Sequence, residues 1–231
     1  MEVYAAMVDR LDQNVGRVLA KLHDLGAYED TLILFASDNG GSSEVVRIGE
    51  GEIGGMTRWA SLQKRWANVS NTPFRRYKNH SYEGGICTPF IAHWPAGIAA
   101  RGGLVREPAH FVDLFPTLAD LGDSSPGTEG SGVGPEAASL PGHAQPKAPV
   151  AGQSLVSLLR GTDFSRDDPL FWQWGGGKAV REGRWKAVQW KKGEWELYDL
   201  VHDRTELEDL AAQQPEVLAR LVGAWQSWRG Q

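Results

Sequence analysis

A carboxylate and an amide stand side by side in Ser37-Asp38-Asn39-Gly40-Gly41. The side-chain oxygens of Asp38 and Asn39 are hard donors of the kind that hold calcium or magnesium. The glycines after them let another stretch of backbone come close. The same residues also make a turn, since Asn-Gly is a strong turn signal. Further along, Lys78 precedes the run Tyr82-Glu83-Gly84-Gly85. Lysine is a compact positive charge that can meet an anionic oxyester, although a lone loop lysine is equally at home in water.

These groups need a scaffold, and the sequence outlines one. Tyr4, Val8, Leu11, Val15, Val18, Leu22 and Leu25 follow the step of one helix face, and Gly26 supplies the stop. No Ser, Thr, Asp or Asn caps its start, an abrupt opening expected of a chain whose upstream coding sequence is missing. Thr31–Ala36 is a continuous apolar run, which predicts a strand covered on both faces as in a parallel sheet. Asp38 and Asn39 then sit at its carboxyl end, where open α/β sheets bind ligands. Residues 40–77 carry no clear period. Phe90–Trp94 predicts a second short strand, and His110–Leu121 a helix with Pro116 near its first turn.

Between positions 124 and 149, 14 of 26 residues are Gly, Pro or Ser, the composition of a linker or loop. Beyond it, Ser154–Arg160 predicts a short helix. Lys178–Arg181, Arg184–Trp190 and Glu194–Leu200 predict antiparallel strands, joined at Glu182-Gly183 and Lys192-Gly193. A last helix starts near Pro215 and buries Leu218, Leu221, Val222 and Trp225. The expected organisation is an α/β part over 1–123, a linker over 124–149 and a small C-terminal subdomain over 150–231.

Composition narrows the function. With 231 residues, 41% hydrophobic and 23% charged, the chain has the make-up of a globular domain. A net charge of −5 gives no footprint for non-specific nucleic-acid binding. No apolar run approaches the ~20 residues that cross a bilayer, and Met1–Met7 lacks the basic start of a signal peptide. The single Cys87 excludes an internal disulfide and any all-cysteine zinc site. Seven of the ten tryptophans lie between Trp172 and Trp228, where a small sheet packed on a helix needs large side chains for its core. Trp172-Gln173-Trp174-Gly175-Gly176-Gly177 is set apart as the stretch that could border a substrate cleft.

Several segments, in their order, resemble the sulfatase family of the alkaline-phosphatase-like superfamily, in particular its arylsulfatase-type branch. They are the helix Val3–Leu25, Leu34–Gly40, Trp66–Lys78, Tyr82–Ile86, Asp113–Leu118, Gly152–Leu155 and Glu196–Leu200. The resemblance implies part of an alkaline-phosphatase-like α/β domain, followed by a small antiparallel sheet and helix. It implies hydrolysis of sulfate esters, on a small molecule or a sulfated glycan, in a parent expected in the periplasm or outside the cell. Asp38 and Asn39 match the second ligand pair of a calcium ion, and Lys78 a lysine on the sulfate group. His80 beside it is carried as a second substrate contact. Asp113 and Glu83 are the next carboxylates to test as ligands.

The departures matter as much. The family nucleophile is the Cys or Ser of Cys/Ser-x-Pro-x-Arg, oxidised to formylglycine. Cys87-Thr88-Pro89-Phe90-Ile91 offers isoleucine where that pattern needs arginine, so Cys87 reads as a packing residue. The nucleophile and the first ligand pair belong to the family's N-terminal half. The chain is therefore expected to be inactive alone, with a separately encoded N-terminal half as its expected partner. The alternatives are a phosphoesterase or phosphonate hydrolase of the same superfamily, or a non-catalytic anion-binding half-domain. Without N-terminal strands, the run 31–36 should show an unpaired edge and the first helix an uncovered face.

Overall fold

The computed structural model describes residues 1–98, 102–122, 151–166 and 168–230. The Gly/Pro/Ser-rich segment 124–149 lies outside the described residues. The chain divides into two compact units, one of Met1–Tyr28, Ile33–Ile91 and Asp167–Gln231, the other of Glu29–Leu32 and Ala92–Arg166.

The first unit opens with α1 (Glu2–Asp24), which buries none of its residues. Met7, Val8, Leu11, Val18 and Leu25 remain exposed, the uncovered apolar face expected of this helix. Strand β1 (Ile33–Ala36) corrects the expectation of a strand covered on both faces. None of its residues is buried and Phe35 is 38% exposed. The reason is local: among the described residues β1 has one hydrogen-bonded neighbour, β4 (Phe90–His93), in a sheet of two strands. The region without a readable period holds an antiparallel pair, β2 (Arg47–Gly49) and β3 (Arg58–Ala60), and then α2 (Gln63–Ser70). Both strands are short and mostly exposed, so no apolar alternation marks them. Glu83–Ile86 is a single helical turn, α3.

The C-terminal strands β5 (Leu170–Trp174), β6 (Gly177–Glu182), β7 (Trp185–Trp190) and β8 (Glu196–Asp199) form an antiparallel meander in chain order. Its two faces follow the two-residue period of the strands. Val180, Ala187 and Leu197 pack under Leu221 and Trp225 of α6 (Pro215–Arg229), whose Pro215 sits where a helix needs no N–H. Ala179, Val188 and Tyr198 pack on the other side against Tyr82. The sheet is thus a slab with the last helix on one face and the Tyr82–Glu83 segment on the other.

The second unit is organised by Asp113. It lies in a 3-10 turn (Phe111–Asp113) that runs into α4 (Leu114–Gly122), with α5 (Val156–Leu159) beyond. Fully buried, its carboxylate accepts from the backbone N–H groups of His110 at 2.7 Å and Gln153 at 2.9 Å and pairs with Arg166. Thr117 accepts from the Leu155 N–H at 2.9 Å. The Asp113–Leu118 and Gly152–Leu155 segments are thereby tied together, and both carboxylate oxygens of Asp113 take part in the tie. His110 caps the turn by accepting from the Val112 N–H.

Candidate anion and metal site

The loop after β1 is held in place by glycine contacts. Gly40 donates its N–H to the Gly85 carbonyl at 3.0 Å, and a Cβ at position 40 would stand 1.8 Å from the Gly84 carbonyl oxygen. A Cβ at Gly84 would stand 2.3 Å and 2.4 Å from the carbonyl oxygens of Arg75 and Arg76. Next, Gly41 donates to Asn71 Oδ1 at 2.9 Å, while its own carbonyl accepts the Lys78 N–H at 3.1 Å. Three segments far apart in the chain, 38–41, 75–78 and 83–85, therefore meet backbone to backbone. The backbone that follows Asp38 and Asn39 is thereby joined, at Gly41, to the backbone of Lys78.

The side chains show what this corner can do. Asp38 is exposed at the carboxyl end of β1. Asn39 is half-buried, and its Nδ2 donates to the Gly40 carbonyl at 3.0 Å, which fixes the orientation of the amide. Lys78 reaches across to Glu44 Oε1 at 3.1 Å. Glu44 is held below the usual carboxylate range by the Ser42 hydroxyl and then by Lys78. Lys78 is flanked by two non-glycine residues in left-handed backbone, Arg76 at φ 70° and Asn79 at φ 76°. Such conformations cost energy and persist where the surroundings impose them, often at functional sites.

His80 does not point a charge into this corner. Its ring lies over Trp190 at 3.9 Å between centroids and edge-on to Tyr77 at 5.0 Å, with Nδ1 buried and unpartnered. Burial, reinforced by the positive charges of Arg76, Lys191, Arg75 and Lys64, pushes its pKa down to about 4. Its ordinary value is near 6.5, so between pH 6.5 and 4 the unfolded chain binds more protons at this residue than the folded one. The stability that neutral His80 contributes is complete above pH 6.5 and is lost as pH falls towards 4. Urea titrations at pH 7 and 4.5 should show a smaller acid loss for His80→Gln than for the parent. Equal losses would mean that His80 titrates like an exposed histidine.

Beneath the corner lies a buried ion cluster that the sequence reading missed. Lys186 on β7, fully buried, sits 2.8 Å from Glu83 Oε1 and 2.8 Å from Glu206 Oε1. Glu206 Oε2 accepts the Glu83 N–H at 2.7 Å, and Arg204 lies 3.5 Å from Glu83 Oε2. Glu83, considered as a further metal ligand, is occupied here instead. Arg75 adds a second tie, donating to the Glu206 carbonyl at 2.6 Å and stacking over Tyr82 at 4.5 Å. Cys87 is partly buried against Arg204, and burial raises its pKa, the profile of a packing thiol.

Residues 1–124 match the family model described as Sulfatase. Over 248 residues the chain is 33% identical to an uncharacterized sulfatase of Schizosaccharomyces pombe, covering 97% of this chain and 42% of that protein. It is 31% identical over 189 residues to arylsulfatase A of Homo sapiens, covering 79% of this chain and 29% of the other. The crystal structure of Ps i-CgsB in complex with k-i-k-neocarrahexaose superposes with a TM-score of 0.72 at 23% identity, over 97% of this chain and 42% of that one. At that identity the likeness is one of fold. The chain spans about two fifths or less of the length of these relatives.

Proposed function

The chain belongs to the sulfatase family, and from that premise we propose that it forms one wall of a sulfuric ester hydrolase site, with Lys78 on the sulfate group and Asp38 and Asn39 on a calcium ion. Its fold is part of the alkaline-phosphatase-like architecture. The observation that carries the reading is the Lys78 N–H on the Gly41 carbonyl, which joins the cationic segment to the loop of hard oxygen donors.

Asp38 and Asn39 suit calcium in kind, being adjacent, oxygen-bearing and reachable from solvent. Among the described residues no group of three or more His, Cys, Asp and Glu could hold a metal ion. The remaining oxygens of the ~6–8 that calcium prefers come from water, substrate or another segment. When bound, such an ion polarises the sulfate oxygens. Lys78 balances the charge that builds on the transferring group, and Glu44 yields the ammonium when the anion arrives. His80, held neutral, contributes a hydrogen bond rather than a charge. None of the 231 residues forms a Cys/Ser-x-Pro-x-Arg segment, so another segment supplies the attacking group. Ps i-CgsB bound to an oligosaccharide supports an ester carried on a sugar, and arylsulfatase A one carried on an aryl group.

Titrating the 231-residue chain with p-nitrophenyl sulfate tests this reading. The amide resonances of Gly41, Lys78 and Asn79 should shift, Lys78→Ala should abolish the shifts, and no turnover should occur. Shifts that survive Lys78→Ala, or turnover retained after Cys87→Ser, would sink the assignment.

A further inference from the structure

Five of the seven C-terminal tryptophans pack in the two cores of the sheet. Trp174 does not: it is 71% exposed at the tip of the β5–β6 hairpin. It is nonetheless held. Its indole Nε1 donates to Asn79 Oδ1 at 2.9 Å, one residue beyond Lys78. The hairpin also presses onto that loop, since a Cβ at Gly177 would stand 2.7 Å from Ser81 Oγ and 3.2 Å from the Asn79 carbonyl oxygen. A large exposed ring is thus fixed against the segment that carries the candidate sulfate-binding lysine.

Trp174 lines an open groove of about 600 Å³ with Gln173, Gly175, Trp228 and Arg229. That volume lies within the ~300–1,000 Å³ of small-molecule sites. Trp228 is itself braced, stacked on Phe171 at 5.1 Å with the rings 4° from parallel. We infer that this groove is a subsite for the sugar rings of a sulfated oligosaccharide whose ester is held at Lys78, an inference that rests on the reading proposed above. The electron-rich faces of Trp174 and Trp228 suit the slightly positive C–H faces of pyranose rings. Gln173 and Arg229 at the rim offer donors to hydroxyl and sulfate oxygens, and a guanidinium pairs with such oxyanions in a directed way. A purely apolar aryl ligand would gain little from so open and polar a rim.

The test uses the 231-residue chain and its Trp174→Ala, Trp174→Phe and Lys78→Ala variants. Calorimetry would follow a carrageenan-derived sulfated hexasaccharide, its desulfated counterpart and p-nitrophenyl sulfate. We expect Trp174→Ala to weaken the hexasaccharide about tenfold, the value of a modest ring contact, and to leave p-nitrophenyl sulfate unchanged. Trp174→Phe, which keeps a ring face but loses the bond to Asn79, should fall between the two. Equal hexasaccharide affinity in the parent and Trp174→Ala, or no hexasaccharide binding by the parent, overturns the subsite. The function reading fails separately, if Lys78→Ala binds p-nitrophenyl sulfate as the parent does.

Discussion

Replacing Lys186 by methionine is expected to lower the free energy of unfolding by about 3–5 kcal/mol, the cost of stranding buried carboxylates without their cation. Burial alone works to lower the pKa of Lys186, but Glu83 and Glu206 overcome it and hold the ammonium above the ordinary lysine range. Burial would raise Glu83 too, yet Lys186 keeps it below its usual value. Glu206 is pushed up by burial, Lys186 opposing, with the charge of Glu83 adding to the rise. In the methionine variant both carboxylates lose their cation, so the folded state takes up protons more readily than the unfolded one. The deficit should therefore shrink as pH falls from 7 towards 5. Adding Glu206→Gln to Lys186→Met should restore part of the loss, because Glu83 keeps Arg204 beside it and one fewer carboxylate is stranded. Urea unfolding at pH 7 and pH 5 measures all of this. A loss below about 1 kcal/mol, the range of exposed pairs, would show that the cluster is not desolvated.

Gly40→Ala should damage the site without deleting any functional group. The added carbon would stand 1.8 Å from the Gly84 carbonyl oxygen and 2.9 Å from its carbon, both backbone atoms with no rotamer to escape into. Segments 38–41 and 83–85 would have to part by more than an ångström, which strains the neighbouring bond between the Gly41 carbonyl and the Lys78 N–H. In an assembly that hydrolyses sulfate esters this misplacement should cost about 10²-fold in turnover, with a stability loss of about 1–3 kcal/mol. Gly223→Ala in α6 is the control, since nothing lies within 4 Å of its added carbon. Unchanged Lys78-dependent binding of p-nitrophenyl sulfate in Gly40→Ala would mean that the two loops separate freely and the close approach has no bearing on the site.

The elements legible in the sequence are those whose partners lie nearby in the chain. The step from Tyr4 to Leu25 gives α1, and short apolar runs separated by turns at Glu182-Gly183 and Lys192-Gly193 give the last three strands of the meander. Pro215 marks the start of α6. The β2–β3 pair and α2 left little trace because their residues face solvent and owe no periodicity to a core. Asp38, Asn39 and Lys78 are legible by type, since hard oxygens and a lone cation state their chemistry. What joins them is not. Glycines announce that some backbone comes close, but nothing in Gly40 names Gly84 as the partner. Lys186 is the sharpest case: within Trp185-Lys186-Ala187-Val188 it reads as a solvent-facing strand residue. Its partner Glu83 lies 103 positions away.

Glu83 and Glu206 are separated by 123 residues along the chain, yet one receives the other's N–H. A ribosome adding ~5–20 residues per second takes roughly 6–25 s to travel between them. Throughout that interval Gly84 and Gly85 exist without the sheet that braces them, and so does the loop pressed against them. The meander, once made, closes by neighbouring hairpins on a timescale of about microseconds. The part of the chain synthesised last therefore sets the geometry of the part synthesised earlier. A nascent chain halted between Gly85 and Glu206 carries Asp38, Asn39 and Lys78 while the Glu83 N–H beside them still lacks its carboxylate.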